Sequence, residues 1–294
     1  MYSIAIISDM HDWHSNEIKF YLEKFGCKVA KVSFEEIVLS LKKKRVSISG
    51  KNSLKKIDGV WVRFIKAGTL EEITSKLTIL HLLEESNIYI HNSASTIEKT
   101  VDKVRTTGIL EINGFNSPET SVWFSKNKNI PKLKKKQKFL VKPIFGSQGK
   151  GIILIKNIYD LLKFKPLGNV FYVQNFIGSD KQKIFSDLRI LVSNHKVLSS
   201  MERYSKNFIT NVHQGANFKK KLIDSEIIKT SEKISKIFGL GYGGIDIKIA
   251  NKKLYVLEIN SVPSWKAIQK IEKKNISQLL VRDFLKKIKK NDIN

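Results

Sequence analysis

A single cysteine, Cys27, excludes an internal disulfide and with it the small secreted scaffolds held by such bridges. Long apolar runs are missing as well. The longest are pieces such as Ile152-Ile153-Leu154-Ile155, far below the ~18 residues a membrane span requires. The opening Met1-Tyr2-Ser3-Ile4-Ala5-Ile6-Ile7 has no basic flank and meets Asp9 at once, which does not make a signal peptide. A soluble cytoplasmic protein without a membrane partner is the expectation. Arginine is scarce too: 47 of the 53 basic residues are lysines, against 27 acidic residues, for a net charge of +26. Nucleic-acid readers favour the planar arginine fork. The densest runs here, Lys42-Lys43-Lys44-Arg45 and Lys134-Lys135-Lys136, carry no interleaved aromatics. The charge is therefore read as solvated lysine faces that draw anionic ligands, not as a nucleic-acid footprint.

What is present is globular: 294 residues, 41% hydrophobic and 27% charged, enough for about two domains of ~150 residues. The first ~95 residues alternate strand and helix signals. Strands are predicted over residues 2–7, 28–34, 59–64 and 88–90. A helix over 15–25 stops at Gly26, and capping boxes at Thr69-Leu70-Glu71-Glu72 and Ser95-Thr96-Ile97-Glu98 open two more. Strands alternating with helices predict a doubly wound α/β unit, its parallel sheet covered on both faces. From Asp102 the texture changes. A helix to Ile112, a loop through Gly114 and Pro118, and a basic connector over 127–138 precede strand-like pieces at 139–143, 151–155, 170–177, 188–192 and 197–204. Asp224 to Phe238 is the clearest helix, closed by Gly239, and residues 276–288 form a last amphipathic one. This half reads as mixed, largely antiparallel α+β.

Two local patterns carry chemistry. Gly146-Ser147-Gln148-Gly149-Lys150-Gly151 is not a Walker A loop, because Ile152-Ile153 stands where Lys-Ser/Thr should follow. Between two strands it is either a flap whose bare amides lie over phosphates or an ordinary hairpin tip. The second pattern is a hairpin: Gly244 to Ile249, a turn at Asn251-Lys252, then Leu254 to Asn260. Folding it sets Asp246 opposite Glu258, with Asn260 on the same face. Two carboxylates and an amide oxygen are hard ligands suited to Mg²⁺. A solvated face, or a salt bridge from Arg189 or Lys248, is the plainer alternative.

Taken in order, these pieces resemble a family. Phe139-Leu140-Val141-Lys142-Pro143 before the glycine loop looks like the lysine strand and phosphate flap of ATP-grasp ligases. Val173-Gln174-Asn175-Phe176-Ile177 looks like their hinge, and Asp187-Leu188-Arg189, Thr210-Asn211-Val212-His213-Gln214-Gly215 and Leu257-Glu258-Ile259-Asn260 complete the set. Thr69-Leu70-Glu71-Glu72, Leu80-His81-Leu82-Leu83-Glu84 and Val101-Asp102-Lys103 are similar to the first half of the RimK-like α-L-glutamate ligases.

The resemblance implies a pre-ATP-grasp α/β domain over 1–97, a lid subdomain with the flap over 98–174, and a metal-bearing subdomain over 175–294. The last two would be α+β subdomains clamping ATP. It implies ATP contacts from Lys103, Lys142, Gly149, Gln174, Asn175, Phe176, Asp187, Thr210 and Asn211. Asp246, Glu258 and Asn260 would hold Mg²⁺ or Mn²⁺, and Arg189 and Arg203 would face an acyl phosphate. The implied activity is ATP-dependent joining of an amino acid, L-glutamate, to the carboxylate of a coenzyme or of a protein C-terminus. Self-association is compatible with it. A degenerate site serving nucleotide-dependent regulation or a nucleic-acid-associated module is the rival.

There are departures. Ile209 stands where similar ligases carry Arg, Asn175 where an acidic residue is common, and Ser264 where glycine usually follows proline. The last points to a specialised acceptor pocket. Ser8-Asp9-Met10-His11 resembles the opening of metallophosphoesterases, but their Gly-Asp and Gly-Asn-His elements do not occur. His14, His81, His91 and His195 read as isolated, ordinary histidines, and Cys27 as a small buried hydrophobe.

Overall fold

The computed structural model describes residues 1–42, 45–49, 57–124, 131, 137–146, 149–179 and 182–291. The first part contains β1 (Ser3–Ser8), α1 (Trp13–Lys24), β2 (Lys28–Val32), β3 (Val38–Lys42), β4 (Arg45–Ser49), β5 (Gly59–Phe64), α2 (Leu70–Glu85), β6 (Tyr89–His91), α3 (Ala94–Val101) and α4 (Lys103–Ile112). Four strands form a parallel sheet in the order β2-β1-β5-β6. Alternation along β1 sends Ile4 and Ile6 to one face and Ala5 and Ile7 to the other, and both faces are buried. Ala5, Ile7, Val60 and Val62 meet Leu80 and Leu83 of α2 and Ile97 of α3. The predicted doubly wound unit is present.

Thr69 caps α2 as expected, with Glu72 closing the capping box. The second box is a correction. Ser93, not Ser95, caps α3 by accepting the Thr96 N–H. Glu98, expected to reach back to Ser95, is drawn instead to His81 and Arg105. The antiparallel β3–β4 pair was not anticipated. Its register sets Leu39 opposite Ile48 and Leu41 opposite Val46, and Lys43 and Lys44 of the first lysine run lie outside the described residues.

The second sheet comprises β7 (Thr120–Phe124), β8 (Phe139–Val141), β9 (Ile153–Ile155) and, after α5 (Ile158–Lys163), β10 (Val170–Asn175). Its order is β7-β10-β8-β9, antiparallel throughout. Trp123, Phe139, Val141, Phe171 and Val173 pack with Leu161 of α5 on one face, leaving Leu140, Tyr172 and Gln174 on the other. Most of the expected basic connector, and the run Lys134-Lys135-Lys136, lies outside the described residues. The third sheet is formed by β11 (Phe185–Ser193), β12 (Lys196–Ser205), β13 (Asn217–Lys220), β14 (Tyr242–Ala250) and β15 (Lys253–Asn260). Its order is β13-β12-β11-β14-β15, again antiparallel. The helix α6 (Ser225–Phe238) crosses it, capped by Asp224 and stopped by Gly239 at φ +72°. β7 and β13 are strands the sequence pattern did not reveal.

After α7 (Lys266–Ile271), the last helix α8 (Ile276–Asn291) leaves the third sheet and covers the open face of the first. Leu280, Phe284 and Ile288 join Ile4, Ile6, Ile18, Leu22 and Trp61 in one cluster. Asn92 ties the same two regions by polar contacts. Its Nδ2 donates to the carbonyls of Tyr242 (2.8 Å) and Ser261 (2.6 Å), and its Oδ1 accepts from Gly241 (2.6 Å). Among the described residues no helix is long and apolar enough to cross a membrane.

Candidate active site

The β14–β15 hairpin starts in the register its two-residue turn dictates, Ala250 opposite Lys253 through Ile247 opposite Val256. Continued unchanged, that register would oppose Asp246 with Leu257. A bulge there shifts the pairing to Asp246–Glu258 and Gly244–Asn260. The bulge thus brings the two carboxylates face to face, and Leu257 turns toward the neighbouring cleft.

Asp246 is buried and fully engaged. Arg189 grips it with Nε and with Nη2 (2.8 Å), and Arg203 Nη2 approaches Oδ2 at 2.8 Å. Arg203 also holds Asp187 by two bonds of 2.7 Å, and Thr210 Oγ1 donates to Asp187 at 2.6 Å. The alternating chain Thr210–Asp187–Arg203–Asp246–Arg189 pairs two buried carboxylates with two guanidinium groups, so no net charge is buried. Burial alone would raise the Asp246 pKa; Arg189 and Arg203 outweigh it and hold the carboxyl below its usual range. Burial would likewise weaken the Arg203 charge, but Asp246 and Asp187 outweigh it and raise its pKa.

Beside this chain stand two lysines. Burial pushes the Lys142 pKa down to about 8, against the pull of Glu258 and with Lys103 adding to the fall. Lys103 is also lowered by burial, opposed by Glu258 and Asp102. Its Nζ donates to the carbonyls of Gly146 (2.8 Å) and Ile144 (3.3 Å), so it ties α4 to the root of the glycine loop. Gly149 and Gly151 have φ of +73° and +74°, a backbone that favours glycine. A Cβ on Gly149 would stand 2.9 Å from Gln214 Nε2 and 3.0 Å from Ile209 Cγ2, which sets the loop tip against the segment holding Thr210 and Asn211. Ser147 and Gln148 lie outside the described residues.

The hinge lines a cleft with Leu140, Lys142, Asp187, Phe208 and Thr210. Asn175 and Phe176 already donate their backbone N–H groups to the carbonyls of Glu119 (2.8 Å) and Lys138 (2.9 Å). They can meet a base only through carbonyl oxygens; the next amide is that of Ile177, in the same cleft. Gln174 donates to Thr120 Oγ1 and Tyr172 OH, while its buried Oε1 has no partner among the described residues. Asn211 and Asn260 spend their amide oxygens on the N–H groups of His213 and Val262, each at 2.8 Å. Lys248 bonds the Ser186 carbonyl (3.0 Å), so Arg189 alone realises the anticipated alternative salt bridge.

The donor set suits a small hard cation. Glu258 and Asn260 offer oxygens from β15, the Glu258 side chain with no hydrogen bond or ion pair among the described residues. Asp246 opposite them would reach a metal only by giving up a contact with Arg189 or Arg203. The expected site residues therefore gather around one cleft between the second and third sheets, with Asp187 and Asp246 held by arginines.

Asp9 keeps its reading as a loop residue, and that of His14 changes. Asp9, the phosphoesterase-like residue, accepts from Phe34 N (2.8 Å), Lys66 N (2.9 Å) and Lys76 Nζ (3.1 Å), so it locks a loop. His14 is not isolated: it contacts Asp12 and, 250 residues away, Ser264. No local signal could have found that pair. Cys27 is buried, and burial raises its thiol pKa, as suits a small hydrophobe.

Residues 100–284 match the RimK-like ATP-grasp domain family. Over 96% of this chain and 97% of the relative, the sequence is 30% identical to the tetrahydromethanopterin:alpha-L-glutamate ligase of Methanococcus maripaludis. It is 29% identical to a probable alpha-L-glutamate ligase of Maridesulfovibrio salexigens over 71% of each chain. The fold is similar to that of the ATP-grasp ligase PsnB, solved with a phosphomimetic variant of its minimal precursor, Mg and ADP. That match has a TM-score of 0.72 and 16% identity, covering 98% of this chain and 99% of the other.

Proposed function

The chain belongs to the RimK-like ATP-grasp family and is an ATP-dependent acid–amino-acid ligase, and from that premise we propose that it adds L-glutamate to the carboxylate of a coenzyme through an acyl phosphate. One observation carries the choice of acceptor. Two relatives named tetrahydromethanopterin:alpha-L-glutamate ligase, 30% identical over 96% of this chain and 33% identical over 71%, are more similar to it than the probable alpha-L-glutamate ligase at 29% over 71%. A pterin-type coenzyme ending in a carboxylate is the acceptor this favours over a protein C-terminus.

The family uses ATP with Mg²⁺. Here Glu258, Asn260 and Asp246 would hold the metal, whose charge would neutralise phosphate oxygens. Lys142 and Lys103 meet the phosphates as point charges, and the glycine loop covers them and keeps water out. In the cleft, the unpaired Gln174 Oε1 suits an exocyclic amino group, with carbonyls of Asn175 and Phe176 beside it. Asp187, Thr210 and Asn211 shape the nucleotide wall, and Asp187 acts by holding Arg203 in place. Arg189 and Arg203 place positive charge where an acyl phosphate forms. The acceptor carboxylate attacks the γ-phosphorus, ADP leaves, and the amine then displaces phosphate from the acyl carbon.

Incubation with ATP, Mg²⁺, L-glutamate and a panel of acceptors, read by mass spectrometry, tests this reading. With a carboxylate labelled by heavy oxygen, one labelled oxygen must appear in phosphate per amide formed, because the attacking oxygen leaves with the phosphoryl group. AMP as product, or unlabelled phosphate, excludes the route. Amide on a protein C-terminus and on no coenzyme overturns the choice of acceptor.

A further inference from the structure

Three groups of the first domain converge on the loop that follows β15. Asp12 caps α1, and His14 lies in the first helical turn, 7% exposed. His14 Nδ1 is 2.9 Å from Asp12 Oδ2, and its Nε2 is 2.9 Å from Ser264 Oγ and 3.2 Å from the Trp265 amide. Arg63 reaches the same Asp12 oxygen at 3.2 Å and donates to the Val262 carbonyl at 3.1 Å. A backbone amide can only donate, so Nε2 is the bare nitrogen and Nδ1 carries its hydrogen toward Asp12. The Ser264 hydroxyl then donates to Nε2. Its oxygen lone pairs are left for a ligand, and Ser264 is exposed.

The place is right for a substrate. Asp12 and Arg63 lie at the carboxyl ends of β1 and β5, where the sheet order reverses and open α/β sheets admit ligands. The loop also abuts the ATP cleft. Pro263 Cβ and Arg189 Nη1 lie 3.1 and 3.2 Å from the point where a Cβ on Gly244 would sit. Amide formation from an ammonium needs a proton acceptor, since the protonated nitrogen has no lone pair. In the reading above Lys103 and Lys142 meet phosphate as cations and Glu258 is committed to the metal, and Asp246 is paired with arginines, so none of the four serves.

We propose that Ser264, His14 and Asp12 form a relay that takes the proton from the attacking amine, a role that rests on the amide-forming reading above. Once the ammonium has given up that proton, the freed nitrogen lone pair forms the C–N bond, the C–O bond to phosphate breaks with its electrons on phosphate, and the second proton the nitrogen must lose goes to the departing phosphate. A proton passes from nitrogen to Ser264 Oγ as the hydroxyl proton moves to His14 Nε2, and Asp12 holds the imidazolium. The Trp265 contact, the longer of the two at Nε2, is lost in that step. Ser264 touches the amine; His14 and Asp12 act through it. The charged groups facing His14 are Asp12, Arg63 and Lys266. Burial lowers its pKa first, the Asp12 bond opposes, and Arg63 and Lys266 add to the fall, which keeps the ring neutral until it receives the proton.

The test compares two nucleophiles. Hydroxylamine is neutral at neutral pH and attacks an acyl phosphate without a base, whereas L-glutamate brings an ammonium. His14→Gln keeps an acceptor for Ser264 and Trp265 but takes no proton. With L-glutamate its kcat should fall about tenfold or more, KM should change less than about twofold, and the acid limb of the kcat profile should vanish. Hydroxamate formation should fall far less, so that the ratio of the two rates shifts at least about fivefold. Ser264→Ala, at an exposed position, should give the same split without risk to the fold. Equal losses with both nucleophiles, or an unchanged pH profile, overturn the relay. Failure of the unaltered protein to form any amide overturns both the relay and the reading beneath it.

Discussion

Burial of Lys142 brings its pKa to about 8, with Glu258 and Asp246 opposing the fall and Lys103 reinforcing it. An unfolded lysine titrates near ~10.4. Between pH 8 and that value the unfolded chain binds the extra proton, so stability of the free protein rises with pH across this window. On the proposed role of Lys142, ATP capture runs the other way, because only the charged amine would meet phosphate. In the free enzyme, kcat/KM for ATP should therefore fall about tenfold per pH unit above pH 8. A flat profile up to pH 10 would show that Lys142 does not meet the nucleotide. Glu258 gives a second check. Glu258→Gln removes a negative ligand while keeping shape, so kcat should drop about a hundredfold or more with the unfolding midpoint nearly unchanged, since metal charge stabilisation is worth several kcal/mol. Near-normal turnover at limiting Mg²⁺ would remove Glu258 from the metal site.

At the scale of the element, the glycine loop and the bulged hairpin are the working parts. Gly149 combines a φ of +73° with close approach to Ile209 and Gln214. An alanine there adds a left-handed penalty of about 1 kcal/mol and a contact the loop must yield to. On the proposal that this loop covers the phosphates, Gly149→Ala should raise the KM for ATP about fivefold, the equivalent of that penalty, while leaving the global unfolding transition in place. An unaltered KM would mean that this tip does not close over the nucleotide. Ile209, which stands where arginine is usual, serves as the apolar rest for that tip. The bulge before Asp246 belongs to the same scale, since it decides which β15 side chain faces the carboxylate.

Across the whole molecule, the chain's last helix completes its first domain. Phe284 of α8 is fully buried and lies 5.1 Å from Trp61, 5.8 Å from Tyr89 and 5.4 Å from His91, ring centre to ring centre. Phe284→Ala should cost about 3–5 kcal/mol in urea unfolding, the range for emptying an aromatic site in a packed core. A loss under 1 kcal/mol would show that α8 does not hold the first sheet. Because Asn92 and the Arg63–Asp12–His14 group bind the loop after β15, that core also sets the position of this loop.

Much of this was legible locally. Short apolar runs marked β1 and β5, period-two alternation marked β14 and β15, helical spacing with Asp224 and Gly239 marked α6, and the ordered motifs pointed to the cleft. These signals are local because a strand or helix that buries one face must write that face into nearby residues. β7 and β13 escaped because partly exposed edge strands need no apolar stripe, and β3 and β4 because their short apolar pieces are broken by serines and basic residues. Which oxygens of Asp187 and Asp246 meet Arg203, which face α8 covers, and that His14 touches Ser264 were decided only in three dimensions. Such contacts join positions far apart in the chain, and their pairing energy depends on burial and geometry that residue order does not encode locally.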